Sequence, residues 1–195
     1  QSVILHVGSI RQESLTILKN SNSLAWWISP DAKSVFESLL FEKIFPVALS
    51  TEDKDKVVSY KFNLSIFNSL AKPTGLNEKY PSVNLIAKEE IDANNLLSIV
   101  KDNEHFSFKE LIIEQAENAL SLLDEWESKS LLNDLESLWV RSSNNSLYED
   151  MPNKKEVLTW CAENGFTFKS TIDSVDPEFS LLYFSRHPLF IKIRS

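Results

Sequence analysis

Three glycines in 195 residues constrain this chain more than any other feature, and only one stands where a ligand-gripping loop would need several. Val3-Ile4-Leu5-His6-Val7 is a short apolar run ending at Gly8, the pattern of a buried strand entering a turn. A domain that holds a nucleotide by its backbone needs more glycines close behind. They let the main chain approach the ligand and hand it to a helix N-terminus. Here the turn continues Ser9-Ile10-Arg11-Gln12-Glu13-Ser14, and the other two glycines, Gly75 and Gly165, are remote. A glycine-rich loop is therefore excluded throughout the chain.

Apolar runs at residues 3–7, 24–28, 46–49, 111–113 and 138–140 are short and apolar on both faces. Parallel strands covered by helices on both sides have this character. Helix-like stretches at 13–19, 31–41, 91–100 and 119–132 lie between them. In the last, Leu120, Leu123 and Trp126 recur at helical spacing. A further helix at 154–163 stops at Asn164-Gly165, a C-cap signal. After it, 166–172, 181–185 and 190–193 run apolar or alternate without helices between them, which predicts an antiparallel edge. The expected fold is a doubly wound, mostly parallel α/β sheet with a C-terminal antiparallel edge, a single domain over residues 1–195.

Residues 51–90 break the alternation. A polar turn at 51–56 precedes a strand-like 57–62, and residues 65–81 carry two prolines and a glycine before 83–87 turns strand-like again. An insertion this long predicts a lid over the C-terminal edge of the sheet, where open α/β folds bind ligands. Phe67, Asn68, Ser69, Leu70, Asn77 and Tyr80 are its candidate contact residues, with Phe67 and Leu70 alternatively pinning the loop to the core.

A net charge of −8 and a pI near 5.0 argue against a nucleic-acid groove or an anionic membrane surface as partner. Cys161 is the only cysteine, so it forms no internal disulfide, and it reads as a small buried hydrophobe in a reducing compartment. No run approaches 18 apolar residues and no leader pattern opens the sequence, so a soluble, cytoplasmic protein is expected. His105 and His187 have no acid or cysteine at ligand spacing, and no metal site is expected. The absence of Gly-x-Ser-x-Gly removes the hydrolase elbow.

The order of landmarks resembles the FkbM-type S-adenosylmethionine-dependent methyltransferases along nearly the whole chain. The residues that carry the likeness are His6-Val7-Gly8-Ser9, Trp27-Ile28-Ser29-Pro30, Ala48-Leu49-Ser50, Tyr80-Pro81 and Ile91-Asp92. They continue with Leu111-Ile112-Ile113-Glu114-Gln115-Ala116-Glu117, Leu147-Tyr148-Glu149-Asp150-Met151-Pro152 and Glu163-Asn164-Gly165-Phe166. The resemblance implies a cofactor site at Gly8, Ser9, Ser29, Leu49 and Glu114, with Glu114 and His6 as candidate catalytic residues.

The departures from the family pattern fall at those same positions. His6 stands where the first-strand acid belongs, Ser29 replaces the ribose-binding acid, Arg141 takes the place of a fifth-strand acid, and only Glu114 keeps a carboxylate. A serine makes part of the ribose pair without the charge that strengthens it. Losing two charge-assisted bonds at ~1.5–3 kcal/mol each weakens cofactor binding by roughly two to four decades.

Each candidate also has a plainer structural reading. His6 fits a catalytic base or a buried histidine in place of a lost acid. Glu114 fits a general base, a ligand of the cofactor amine, or a solvated strand end. Of Trp26 and Trp27, adjacent on a strand, at least one must be core. Arg11 and Arg141 fit an anion site or ordinary surface arginines, and the acids within 110–136 fit the solvated face of a helix pair. Two function classes follow. One is O-methyl transfer from S-adenosylmethionine to a small-molecule or sugar hydroxyl. The other is a catalytically inactive methyltransferase-like module that binds a protein partner or assembles.

Overall fold

The computed structural model describes residues 2–32, 40–51, 54–101 and 107–187. Strand β1 (Ser2–Val7) leads through helix α1 (Gln12–Asn20) to β2 (Leu24–Ile28), β3 (Lys43–Phe45) and β4 (Ala48–Leu49). Next come β5 (Lys56–Phe62), a 3-10 turn (Ser65–Phe67), the short helix α2 (Leu76–Lys79), β6 (Leu85–Asn94) and α3 (Leu96–Lys101). Strand β7 (Ser107–Ile113), helix α4 (Ala119–Ser128), β8 (Ser137–Ser143), α5 (Lys154–Glu163), β9 (Phe166–Asp173) and β10 (Phe179–Arg186) complete the order.

Seven strands form one sheet in the order β3-β2-β1-β7-β8-β10-β9. The first five of these are parallel, and β10 runs antiparallel to both β8 and β9. This is the class I methyltransferase-like arrangement, with β1 in a central position as expected. Alternation along β1 explains why both faces are apolar. Val3, Leu5 and Val7 join Trp26, Ile28, Leu111, Ile113, Leu138 and Val140 on one face, packed by Leu122, Leu123 and Trp126 of α4 and Val157 and Cys161 of α5. Ile4, Ala25, Trp27 and Ile112 face the other way, against Leu18 of α1, Ala32 and Phe41. Both adjacent tryptophans are therefore core, one to each layer, and each such side chain contributes ~1.5–3 kcal/mol by leaving water. Cys161 is fully buried, and burial pushes its thiol up to about 12. Helix α5 starts with a capping box, in which Asn153 accepts from the Glu156 amide while Glu156 accepts from the Asn153 amide.

Three features correct the sequence reading. The third strand of the main sheet is Lys43–Phe45, not 46–49; Ala48–Leu49 pairs instead with β6 in a second sheet of order β4-β6-β5. The strand expected at 83–87 runs from Leu85 to Asn94, and it takes the first part of the helix expected at 91–100. Within region 51–90, β5 and the first part of β6 form an antiparallel ribbon, and residues 63–84 between them hold the 3-10 turn and α2. The helix expected at 31–41 falls mostly on residues 33–39, and the strand at 190–193 and His105 fall on residues 188–195 and 102–106. All of these lie outside the described residues.

Candidate functional site

The C-terminal ends of β1, β2 and β7 meet at one small cleft, and Gly8 sets its floor. Its φ is +96°, and a Cβ there would lie 3.0 Å from the Gln115 nitrogen and 3.3 Å from the Glu114 carbonyl carbon. The position needs glycine on both counts. The Gly8 amide donates to the Ile28 carbonyl at 2.9 Å, and the Trp27 indole N–H donates to the Gly8 carbonyl at 2.9 Å. These bonds fix the turn and bring the start of α1 over the exit of β7.

Four charged side chains form one network here, and two of them, Arg11 and Glu114, line the cleft. Arg141 of β8, wholly buried, donates from Nε to Glu114 Oε2 at 2.7 Å and from Nη2 to Oε1 at 3.0 Å. The same Nη2 reaches Glu13 at 3.4 Å. Arg11, at the start of α1, lies 3.7 Å from Glu114 through Nε, donates to the Ile66 carbonyl at 3.4 Å, and covers the Phe179 ring at 5.3 Å. Two guanidiniums and two carboxylates cancel, which is how such burial is tolerated. Burial draws the Arg11 pKa below its ordinary value. Burial works against the charged form of Glu13, yet its own backbone N–H, the Ser174 hydroxyl and the two arginines outweigh that and hold its pKa low.

His6 sits behind the cluster, fully buried on the α1 face, with its ring 6.2 Å from that of Phe41. Burial is the main cause that lowers its pKa to about 4, with Arg141 adding and Glu114 opposing. The imidazole is therefore neutral near pH 7. Neither ring nitrogen has a hydrogen-bond partner among the described residues.

The outer wall comes from residues 65–81 and the β7–α4 junction. Half-buried Glu117 accepts the Leu70 amide at 3.0 Å, and loss of solvent around its carboxyl raises its pKa. The Tyr148 hydroxyl donates to the Phe67 carbonyl at 2.8 Å, and burial raises its pKa as well. Farther out, Tyr80 donates to Asp176 at 2.6 Å and Lys79 pairs with Glu178 at 3.0 Å. Phe67 packs with Phe62, Leu76, Val83, Tyr148 and Phe179, so it pins the loop. The remaining cavity is about 60 Å³, against roughly 300–1,000 Å³ for pockets that enclose drug-sized ligands.

Of the residues singled out in the sequence, Gly8, Ser9, Ser29 and Glu114 line this cleft, as do Asn68, Ser69 and Leu70 of the loop. Leu49 does not; it is buried in the main core. His6 does not line it either. Arg141 is no surface arginine, Glu114 is buried and Glu117 is half-buried, so neither glutamate belongs to a solvated acidic face. The sequence reading missed Asp31, Lys61 and Tyr148 as lining residues. Asp31 accepts from the Ser9 hydroxyl at 3.0 Å, donates its amide to Ser29 Oγ at 3.2 Å and lies 3.7 Å from Lys61. Its signal was an acid two residues past Ser29, read only as part of a helix start. Among the described residues, no group of His, Cys, Asp and Glu could hold a metal ion, and no helix is long and apolar enough to cross a membrane.

Family models give no match to the chain, and neither do curated proteins. Among solved structures, M. capricolum TrmK in complex with S-adenosyl-homocysteine is similar over 98% of this chain and 69% of that one, at 12% identity and a TM-score of 0.46. At that level the likeness concerns the course of the chain alone.

Proposed function

We propose that this chain is a methyltransferase-fold module whose cofactor cleft is filled by its own side chains, and that it works as a catalytically inactive binding or assembly module. The observation that carries this reading is the bidentate Arg141–Glu114 pair. The one acid kept from the family pattern is engaged from behind and has no charge left over for a cofactor amine. Arg11 takes up the space in front of it. The cavity of about 60 Å³ falls well below the roughly 300–1,000 Å³ of pockets that enclose drug-sized ligands, which supports a closed cleft.

Calorimetric titration with S-adenosylmethionine and with S-adenosyl-homocysteine tests this. Dissociation constants weaker than about 100 μM, or no heat, are expected given the lost charge-assisted bonds. A low-micromolar constant for either overturns the reading.

One observation favours the second reading, O-methyl transfer to a small-molecule or sugar hydroxyl. Asp31 lines the cleft beside Ser29 and offers a carboxylate where the family's second-strand acid is absent. In that case residues 51–90 act as a lid that opens, Asp31 and Ser29 hold the ribose, and Glu114 exchanges Arg141 for the ligand. This reading requires measurable cofactor binding that Asp31→Ala abolishes and Ser29→Glu improves.

A further inference from the structure

The strongest unsatisfied surface lies on the ribbon formed by β5 and β6, whose Ser59 and Lys61, with Ile66, also line the cleft. Among the described residues, seven large apolar side chains are exposed, and five of them, Val58, Leu64, Ile66, Leu85 and Ile86, belong to this ribbon and its turn. Ile86 is 67% exposed. The exposed apolar side chains are thus concentrated in this part of the chain, with Leu85 and Ile86 on opposite faces of β6.

The backbone points the same way. Strand β4 pairs with β6 only at Ala93 and Asn94, and β5 occupies the opposite edge. Residues 86–92 therefore present an edge with no partner strand among the described residues. The other edge of the ribbon is covered, because Tyr60 and Ser69 exchange both backbone bonds, at 2.8 and 3.1 Å. The Ala93 amide points towards β5, where it donates to the Asp55 carbonyl, while the Asn94 carbonyl points to β4 and accepts from Ser50. Backbone groups alternate along a strand, so Lys88, Glu90 and Asp92 direct theirs to the open edge.

We infer that this edge pairs antiparallel with the same edge of a second copy, about a two-fold axis at Glu89. In that register Lys88 faces the partner's Glu90, and Glu90 faces the partner's Lys88. Each pair exchanges both backbone bonds, which gives four N–H···O bonds, and each sets opposite charges side by side. One diagonal neighbour of Lys88 is the partner's Asp92, a further favourable contact. Moving the axis to Lys88 instead sets lysine against lysine. The same charges that guard an exposed edge against indiscriminate pairing thus permit self-pairing in one register. Such an interface is isologous and closes at two copies. It also carries like-charge contacts, Glu89 against Glu89 at the axis and, on the diagonals, Lys88 against Lys88 and Glu90 against Glu90. The inference is independent of what the cleft binds.

The area is below that of a standard interface, so a dissociation constant of roughly 1–100 μM is expected. Sedimentation equilibrium of the whole chain reads it directly. Lys88→Glu and Glu90→Lys, each alone, should weaken the dimer at least about tenfold, because two symmetry-related pairs turn repulsive. The combined Lys88→Glu/Glu90→Lys variant should restore it, and Glu89→Gln should tighten it several-fold. A chain that stays monomeric at about 200 μM overturns the inference, that concentration lying above the expected range. So does a dimer indifferent to the single substitutions, or a double variant that remains as weak as its parents.

Discussion

The strand-end cleft and the β5–β6 ribbon dispose of their surface groups in opposite ways. In the cleft, the conspicuous side chains are charged, and Glu114, Arg141, Arg11 and Glu13 meet one another at 2.7–3.7 Å with little space left. On the ribbon, apolar side chains stay in water and a strand edge has no partner strand among the described residues. A site can bind only what its own residues have left unsatisfied. By that measure the strand-end cleft is part of the scaffold, while the ribbon has the free capacity among the described residues. The lesson concerns where function is sought in a familiar fold: the conserved place in the architecture and the available place in the molecule need not coincide.

The largest test of that contrast is to break the internal pairing. Arg141→Met leaves Glu114 buried without its bidentate partner and should cost about 3–5 kcal/mol in urea unfolding. Adding Glu114→Leu should recover most of that loss, since a well-packed apolar pair replaces a buried ionic one at little cost. If Arg141→Met alone unfolds no more easily than the parent, the cleft is not scaffold and the contrast fails.

The second test uses pH. His6 is neutral in both the folded and unfolded states above its unfolded pKa of 6.5, so it adds no pH dependence there. Between pH 6.5 and about 4 the unfolded chain takes up a proton that the folded one refuses, so stability falls as pH falls across that window. The difference of about 2.5 pH units corresponds to a loss of about 3 kcal/mol. His6→Leu should flatten this slope, measured as unfolding free energy against pH, and an unchanged slope would show that other groups dominate the acid response.

The smallest expected effect sharpens the other side. Ile86→Ser on the exposed ribbon should alter unfolding free energy by no more than about 0.5 kcal/mol, as surface substitutions do. Measured at a concentration where the chain is monomeric, a larger loss would mean that Ile86 supports the fold rather than a surface.

Much of this fold was legible because its strands are short, apolar on both faces and separated by periodic helices. The central place of β1, the parallel core and the antiparallel end all follow from that pattern. The third strand was misplaced because Val47-Ala48-Leu49 is more apolar than Lys43-Ile44-Phe45, yet the half-buried edge of the main sheet accepts the latter. Residues 91–94 of strand β6 were read as the start of the helix that follows; pairing with β5 and with β4 makes them strand instead. At the site, Gly8 and Ser29 announced themselves by position. The Arg141–Glu114 pair did not, because 27 residues separate them and only the adjacency of β7 and β8 brings them together. Alternation alone places Arg141 on the same face as Trp139, so its burial was readable once the strand order was known.

The division of labour between Phe45 and Ala48 also bears on how this molecule could have been assembled. Two residues, Pro46 and Val47, carry the chain from pairing with β2 in one sheet to pairing with β6 in the other. The ribbon is therefore not a cassette hung on a surface loop. Excising it removes the partner of Ala48–Leu49, whose side chains are wholly enclosed, and cuts the path by which the main sheet's outermost parallel strand is anchored. An ancestor lacking the ribbon would have needed a different ending to that strand, so gain of the ribbon and rebuilding of the strand behind it had to occur together. Grafting the ribbon onto a related scaffold would have to carry residues 43–50 with it.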